Sequence, residues 1–273
     1  MTRVALLDHG YLELVESWGS DEAIVSAARM STGKGFLGWG VEETCSRCRG
    51  KKTFVVWGDS DRDVEDDPTK PCPACRGRGT RIEKPGDEKL LRYLWENKHA
   101  TPFEMAGLTV EVQAPIFVFR EWHRHRVPFS YNEASARYEP LPDVNYVPSV
   151  ERLMVNATGN NKQAGTVKGA PELTVDHAEN FRAEVDAFYR AAEGLYQEAL
   201  SVGVPKELAR IILPVGRYSR MRASGNLRGW LAFMTLRSAP SAQWEIRQYS
   251  KAIGDLVAEK FPRTWALFSE GQP

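Results

Sequence analysis

Residues 120–138 read REWHRHRVPFSYNEASARY and hold the densest set of reactive side chains in the chain. Arg124, His125 and Arg126 are consecutive, His123 stands beside them, and Ser130, Asn132, Glu133, Ser135 and Arg137 follow within eleven residues. Adjacent cations repel, so such a cluster is favourable only when fully solvated or when it faces phosphates or carboxylates. The flanking Ile116, Phe117, Val118 and Phe119 should bury the start of the run, which argues against a merely solvated loop. The hydroxyl and amide side chains that follow suit hydrogen bonding to phosphate and base. The run therefore predicts an anion site.

A second basic set lies from residue 204 to the end, where 11 Lys and Arg meet 5 Asp and Glu. Arg210 opens RIILP, whose Ile211, Ile212 and Leu213 should be buried, so its guanidinium needs a partner. Arg228 follows Asn226 by two residues, and Arg237 sits in FMTLRS just ahead of SAQWEIRQY. Arginine at such half-buried positions suits planar, two-pronged recognition of a phosphate or a pyrimidine edge. Taken singly, each is better read as pairing with an acid on a neighbouring helix.

The third reactive set is cysteine. All four, Cys45, Cys48, Cys72 and Cys75, fall in two C-x-x-C pairs, each followed by glycine (CSRCRG, CPACRGRG). They lie in a segment, residues 40–85, with 19 charged residues among 46 and little apolar beyond Phe54, Val55, Val56, Trp57 and Ile82. Such a segment cannot bury enough surface to offset its chain entropy. Paired C-x-x-C motifs in a reducing compartment bind zinc more often than they form disulfides, so a structural zinc closed by four thiolates is predicted, a redox dithiol pair being the competitor. The module resembles one cysteine-rich unit of the J-domain co-chaperones.

The elements that must position these groups read as a mixed α/β domain. Residues 22–30 and 87–98 predict helices, the second with Leu90, Leu91, Leu94 and Trp95 on one face. Residues 108–118 alternate as a strand interrupted at Pro115, consistent with an edge or a break. Phe181, Val185, Phe188, Ala192, Leu195 and Ala199 give a long amphipathic helix ending near Gly203. Residues 242–261 form the last helix, with Trp244, Tyr249, Ile253, Leu256 and Val257 inward and Pro262 stopping it. Residues 145–171 read as a loop.

Together the motifs resemble the flavin-dependent thymidylate synthases. RHR followed by S-x-N-E-x-S-x-R-Y matches that family's signature, GSDEAIVSAARMS its opening helix, HATPFE its characteristic turn, and ARIILP with LRSAPSAQWEIRQY its C-terminal half. The resemblance covers nearly the whole chain except the cysteine insert. One departure stands out: eight residues, not seven, separate RHR from Ser135, which places one extra residue in Val127-Pro128-Phe129. The resemblance implies a single catalytic domain over residues 1–273 with a small zinc-ribbon-like insert at 40–85. It implies methylation of dUMP at C5 to dTMP, with methylenetetrahydrofolate as carbon donor and FAD, reduced by NADPH, as hydride carrier. Arg124, Ser135, Arg137, Arg210 and Arg237 would hold dUMP, with Glu133 and with Glu121, which stands where some members have glutamine. Arg237 would lie against the uracil and stabilise negative charge developing there. His99, Thr101, Arg124, His125, Arg126, Glu133, Asn226 and Arg228 would line the flavin and folate side. The family's site is built between subunits of a homotetramer, and its arginine-held flavin fits a chain without G-x-G-x-x-G. The other type of thymidylate synthase attacks uracil C6 with a thiolate; here every cysteine is committed to the insert.

Composition narrows the rest. The chain has 273 residues and balances 36 Lys and Arg against 36 Asp and Glu, so bulk charge offers no polybasic nucleic-acid arm, and none is expected as partner. No apolar run approaches the ~20 residues of a membrane span. The first residues lack a secretory h-region, which predicts the cytoplasm. PCPAC matches half of a zinc-dependent pyrimidine deaminase motif, but the upstream H-x-E is missing. Two rivals stay open: a sister enzyme adding a hydroxymethyl or other one-carbon group to a pyrimidine nucleotide, and a non-enzymatic zinc-ribbon nucleic-acid binder.

Overall fold

Leu108, Val110, Val112 and Ala114 are fully buried, while Thr109, Glu111 and Gln113 between them are only partly so. That period of two marks a strand covered on one face. The strand is β5 in a computed structural model that describes residues 3–53, 70–84, 86–155, 165–167 and 169–270. The apolar residues 54–57 and part of the predicted 145–171 loop lie outside the described residues. Along the chain run β1 (Arg3–Leu6), β2 (Gly10–Trp18), α1 (Asp21–Arg29), β3 (Val41–Thr44), β4 (Thr80–Lys84), α2 (Glu88–Glu96), β5 (Gly107–Pro115) and α3 (Ile116–Trp122). They are followed by β6 (Ser130–Glu133), α4 (Val150–Met154), α5 (Val175–Ser201), α6 (Lys206–Ala209), β7 (Tyr218–Asn226), α7 (Leu227–Arg237), α8 (Trp244–Lys260) and α9 (Pro262–Glu270). The mixed α/β class read from the sequence is the one observed. The chain divides into two compact units: Met1–Ser20 with Phe103–Pro273, and Asp21–Pro102.

In the first unit an antiparallel sheet runs in the order β1-β2-β5-β7-β6. α3, α7 and α8 pack on its apolar face. Trp122, Trp230, Phe233 and Tyr249 meet there, with Trp122 at 4.7 Å from Phe233 and 5.9 Å from Trp230, ring centre to ring centre. Trp230 Nε1 donates to Leu108 O at 3.0 Å, so a buried indole N–H is satisfied by the sheet backbone. On the other face Tyr11 donates to Glu111 at 2.8 Å and Arg222 pairs with Glu111 at 3.2 Å, a chain of charge across β2, β5 and β7.

Five expectations are corrected here. β5 does break at Pro115, but it is central rather than an edge, and residues 116–122 form a helix because Val118, Phe119 and Trp122 line up at helical spacing toward the core. α5 ends as expected, capped at its start by Thr174, yet Phe181, Phe188 and Leu195 are 48%, 60% and 53% exposed. The small Ala178 and Ala192 with Tyr196 form its buried face instead. α8 ends at Lys260, ahead of Pro262 as expected, but it is not the last helix: Pro262 occupies the first turn of α9, where a missing N–H costs nothing. Ile211 is exposed rather than buried beside Arg210, since the turn that carries both lies at the surface. Within the predicted 145–171 loop a short helix, α4, forms because Ser149 accepts the Arg152 N–H at 3.1 Å.

The second unit holds α1, α2 and the β3–β4 hairpin that carries the cysteines. It is wider than the 40–85 module. Leu91 and Leu94 are the buried positions of α2, with Leu90 and Trp95 partly covered, as the sequence implies. Burial alone would raise the Asp87 carboxyl, but the Leu37 N–H at 2.7 Å and the Arg29 guanidinium hold it below the usual carboxylate range.

Candidate functional site

The C-terminus of α7 delivers Arg237 to the end of α3. Its Nη1 pairs with the Glu121 carboxylate, Nη2 donates to the Glu121 carbonyl at 3.1 Å, and Nε donates to His125 Nε2 at 2.9 Å. All three guanidinium nitrogens are thus held before any ligand arrives. Because His125 Nε2 accepts, the imidazole is neutral with its proton on Nδ1. Burial first, then the Arg237 charge, pulls the His125 pKa down to about 4.

This clamp forms one wall of a cavity of about 650 Å³ lined by Arg120, Glu121, His123, Arg124, Arg126 and Arg237. Four guanidinium groups against one carboxylate make it a site for an anion. The RHR loop is tied down by Tyr131, whose hydroxyl lies 2.7 Å from His125 O and 3.0 Å from Trp122 O. Burial raises the Tyr131 pKa, so the hydroxyl stays a donor. β6 pairs with β7 from Ser130 opposite Ser224 to Glu133 opposite Met221, so Tyr131 and Glu133 share one face. His123 Nε2 lies 3.2 Å from Met221 Sδ and 3.9 Å from the Glu133 carboxylate. The departure at Val127-Pro128-Phe129 is absorbed by packing. A Cβ at Gly225 would meet Phe129 at 2.5 Å and one at Gly229 would meet Pro128 at 2.5 Å, so two glycines make room for the longer loop.

The remaining expected site residues divide. Asn226 Oδ1 accepts the Gly229 N–H at 2.9 Å and caps α7. Arg228 is exposed and pairs with Glu104 at 2.5 Å. Ser135 lies in a separate cleft of about 70 Å³ with Gln113, Tyr218 and Arg220. Arg137 pairs with Glu207 of α6 at 3.5 Å, and Arg210 stands exposed in the turn directly after that helix. The nucleotide set is therefore in two groups, Arg237 with Glu121 and Arg124 in one, Ser135, Arg137 and Arg210 in the other. His99 and Thr101 belong to the second unit, where His99 N–H donates to Leu94 O at 2.9 Å and its ring stands edge-on to Tyr93. Sequence reasoning passed over Tyr131, although its alternation with Glu133 on a short strand is a usable signal, and over Arg120, one helical turn before Arg124.

In the second unit the four cysteine sulfurs all lie within 4.8 Å of one another, every one buried and none in a disulfide. Cys48 Sγ is 3.6 Å from Cys75 Sγ, close to the ~3.8 Å edge of a tetrahedron with Zn–S of about 2.3 Å. The Gly79 N–H donates to Cys75 Sγ at 3.3 Å, and among the described residues the apolar side chain packed on the cluster is Ala74. Four sulfurs at this spacing with so little else to hold them fit a tetrahedral metal.

Residues 13–263 match the family described as thymidylate synthase complementing protein. The chain belongs to that family. It is 34% identical over 267 residues to a flavin-dependent thymidylate synthase of Thermus thermophilus, covering 98% of this chain and 78% of the relative. It is also 34% identical over 263 residues to the flavin-dependent thymidylate synthase of Thermosipho africanus, covering 96% and 92%. Among solved structures it resembles the UMP/dUMP methylase PolB of Streptomyces cacaoi bound with 5-Br UMP, with a TM-score of 0.68, 26% identity, and 97% and 96% of the two chains covered. A second PolB structure, bound with 5-Br dUMP, matches with the same TM-score. Membership makes the chain an enzyme, a methyltransferase of the thymidylate synthase kind, and removes the non-enzymatic reading of the whole chain.

Proposed function

We propose that this enzyme methylates dUMP at C5 to give dTMP, with methylenetetrahydrofolate supplying the carbon and FAD, reduced by NADPH, supplying the hydride. The observation that carries the reading is Arg237, fixed by Glu121 and neutral His125 at the wall of an arginine-lined cavity. The flavin supplies hydride chemistry that no side chain here can provide. The chain's own work is binding and polarising. Arg124 and Arg126 suit the phosphates of nucleotide and cofactor, His99, Thr101, Glu133, Asn226 and Arg228 the rest of the flavin and folate side. Arg237 stabilises charge developing on the uracil as its C5 proton is replaced by the new carbon.

The split of the nucleotide residues into two groups supports a site completed by another copy of the chain, in a cytoplasmic homotetramer. Phe181, Phe188 and Leu195, seven residues apart on α5, form an exposed apolar seam, and Leu208 and Ile211, on α6 and the turn after it that pack against α5, are exposed as well, as an interface between copies requires. Zinc is proposed at the four cysteines, in a structural role.

Incubation of purified enzyme with dUMP, methylenetetrahydrofolate and NADPH, followed by mass spectrometry, should give a product 14 mass units above dUMP, one CH₂ heavier. A hydroxymethyl product would instead identify the sister activity. Since PolB is described as acting on both UMP and dUMP, UMP belongs in the same assay. About one zinc per chain is expected by elemental analysis, with Cys48→Ser losing it and keeping turnover; metal-free wild-type protein would remove the zinc assignment.

His125 gives a pH prediction. In the unfolded chain its imidazole takes a proton near pH 6.5, whereas in the folded chain it stays neutral down to about 4. Between those values the unfolded state binds more protons. The stability contribution is therefore complete above pH 6.5 and lost as pH falls through 4. The melting temperature should decline less steeply from pH 6.5 to 4.5 in His125→Asn than in wild type, and parallel declines would show that His125 is not linked to folding.

A further inference from the structure

The residues that hold Arg237 stand at the two ends of one turn. Glu121 precedes it, and His125 closes it by donating its N–H to Trp122 O at 2.9 Å. His123 and Arg124 are its central residues, and both line the arginine cavity. Trp122 is the last residue of α3, so its carbonyl and those just after it have no partner further along the helix. Tyr131 supplies one. Its hydroxyl proton is shared between His125 O at 2.7 Å and Trp122 O at 3.0 Å, the two ends of the turn.

Tyr131 is itself held. β6 places it opposite Ala223 of β7, which is fully buried, so the side chain faces the helix-covered side of the sheet. Its ring stacks on Phe129 at 5.7 Å with 10° between the planes, and Phe129 meets Trp230 edge-on at 4.7 Å. The His123 ring stands edge-on to it at 5.2 Å. Strand pairing and an aromatic core thus fix the hydroxyl, and the hydroxyl fixes the turn.

We infer that Tyr131 is a positioning residue of the proposed site: its hydroxyl sets the spacing of Glu121 and His125, and through them the direction of the Arg237 guanidinium. The inference rests on the reading of Arg237 given above. Direction matters there because a preorganised donor stabilises developing charge only from the right place, and a displacement of about 1 Å can cost about 100-fold in rate. The His125 ring reports the same linkage. Its Nε2 accepts from Arg237 Nε at 2.9 Å while the backbone of residue 125 stays where Tyr131 holds it.

Tyr131→Phe keeps the ring and removes the hydroxyl, so the melting temperature of the full-length variant should fall by no more than about 2–4 °C, as for one lost hydrogen bond. Its kcat for dTMP formation should fall at least about 10-fold. In the Arg237→Ala background the same substitution should change kcat by less than about two-fold, because residues acting through one group are not additive. A second readout does not depend on turnover. In ¹⁵N NMR of histidine-labelled protein, assigned with His125→Asn, wild type should show His125 Nε2 as an unprotonated acceptor. In Tyr131→Phe the two ring nitrogens should converge as the tautomers mix. Equal losses of kcat in both backgrounds would overturn the inference by making Tyr131 a merely structural tie. So would an unchanged kcat or unchanged His125 signals. A wild type that makes no dTMP, with His125 signals that still shift in Tyr131→Phe, would keep the positioning and overturn only the reaction assigned to the site.

Discussion

Arg237→Ala is expected to lower kcat by about 10²–10³-fold, the usual cost of losing one preorganised group from a site of developing charge, while the purified variant keeps its flavin absorbance. The expectation follows from how the guanidinium is held. Its three nitrogens are anchored on Glu121 and His125, and a group so fixed needs no reorganisation when charge appears on the substrate. The cavity keeps Arg120, Arg124 and Arg126 after the substitution, so cofactor and nucleotide phosphates retain cationic partners. A fall in kcat with KM for dUMP changed much less would place Arg237 at the reacting ring. A rise in KM alone would mean that it only binds ground-state substrate. Glu121→Gln separates the two elements of the clamp: the charge pair is lost but hydrogen bonding to the guanidinium remains, so an intermediate rate is expected.

The site was legible in the sequence where chemistry is carried by residue type. The RHR run and the four cysteines are recognisable because clustered cations and paired thiols are seldom neutral decoration, whereas Arg237 stands out only through the family resemblance; the structure brings Arg124, Glu121 and Arg237 to one cavity and the cysteines to one cluster. What type alone does not carry is commitment. Nothing in the spacing says that Tyr131 ties the RHR loop, since that depends on where β6 returns beside β7, whereas the Asn226 cap of α7 is a local bond to Gly229 that an N-cap reading could have found. Periodicity found α2 and α8 because their apolar positions do face the core. It misled on α5, where a regular stripe of Phe181, Phe188 and Leu195 marks an outward face. Amphipathic spacing reports that a helix has an apolar side, not which neighbour covers it. The helix α3 was hidden for another reason: IFVF has strand-forming composition, and only burial of Val118, Phe119 and Trp122 on one side overrides it.

Arg217→Ala is expected to destabilise the enzyme by about 3–5 kcal/mol, the cost of removing one partner of a buried ion pair. Arg217 is 1% exposed at the entry to β7, pairing with Glu193 of α5 through Nη2 and with Asp143 at 2.5 Å through Nη1. Asp143 is half exposed and can return to water. Glu193, 15% exposed, cannot do so as easily, and its stranded charge sets the magnitude. At roughly 2–4 °C per kcal/mol for a chain of this size, the melting temperature should fall by about 10 °C. Arg217→Met/Glu193→Leu, which replaces the pair by apolar side chains, should recover most of the loss. The position bears on the proposed site because the Arg217 carbonyl accepts the Ile116 N–H at 3.0 Å and so anchors the first turn of α3, whose last turn carries Glu121 and through it Arg237. That backbone bond survives the substitution. Assayed well below its melting temperature, Arg217→Ala should therefore turn over within about two-fold of wild type, since a mainly structural loss leaves transition-state contacts intact. A stable but slow Arg217→Ala enzyme would show instead that the pair tunes the position of α3.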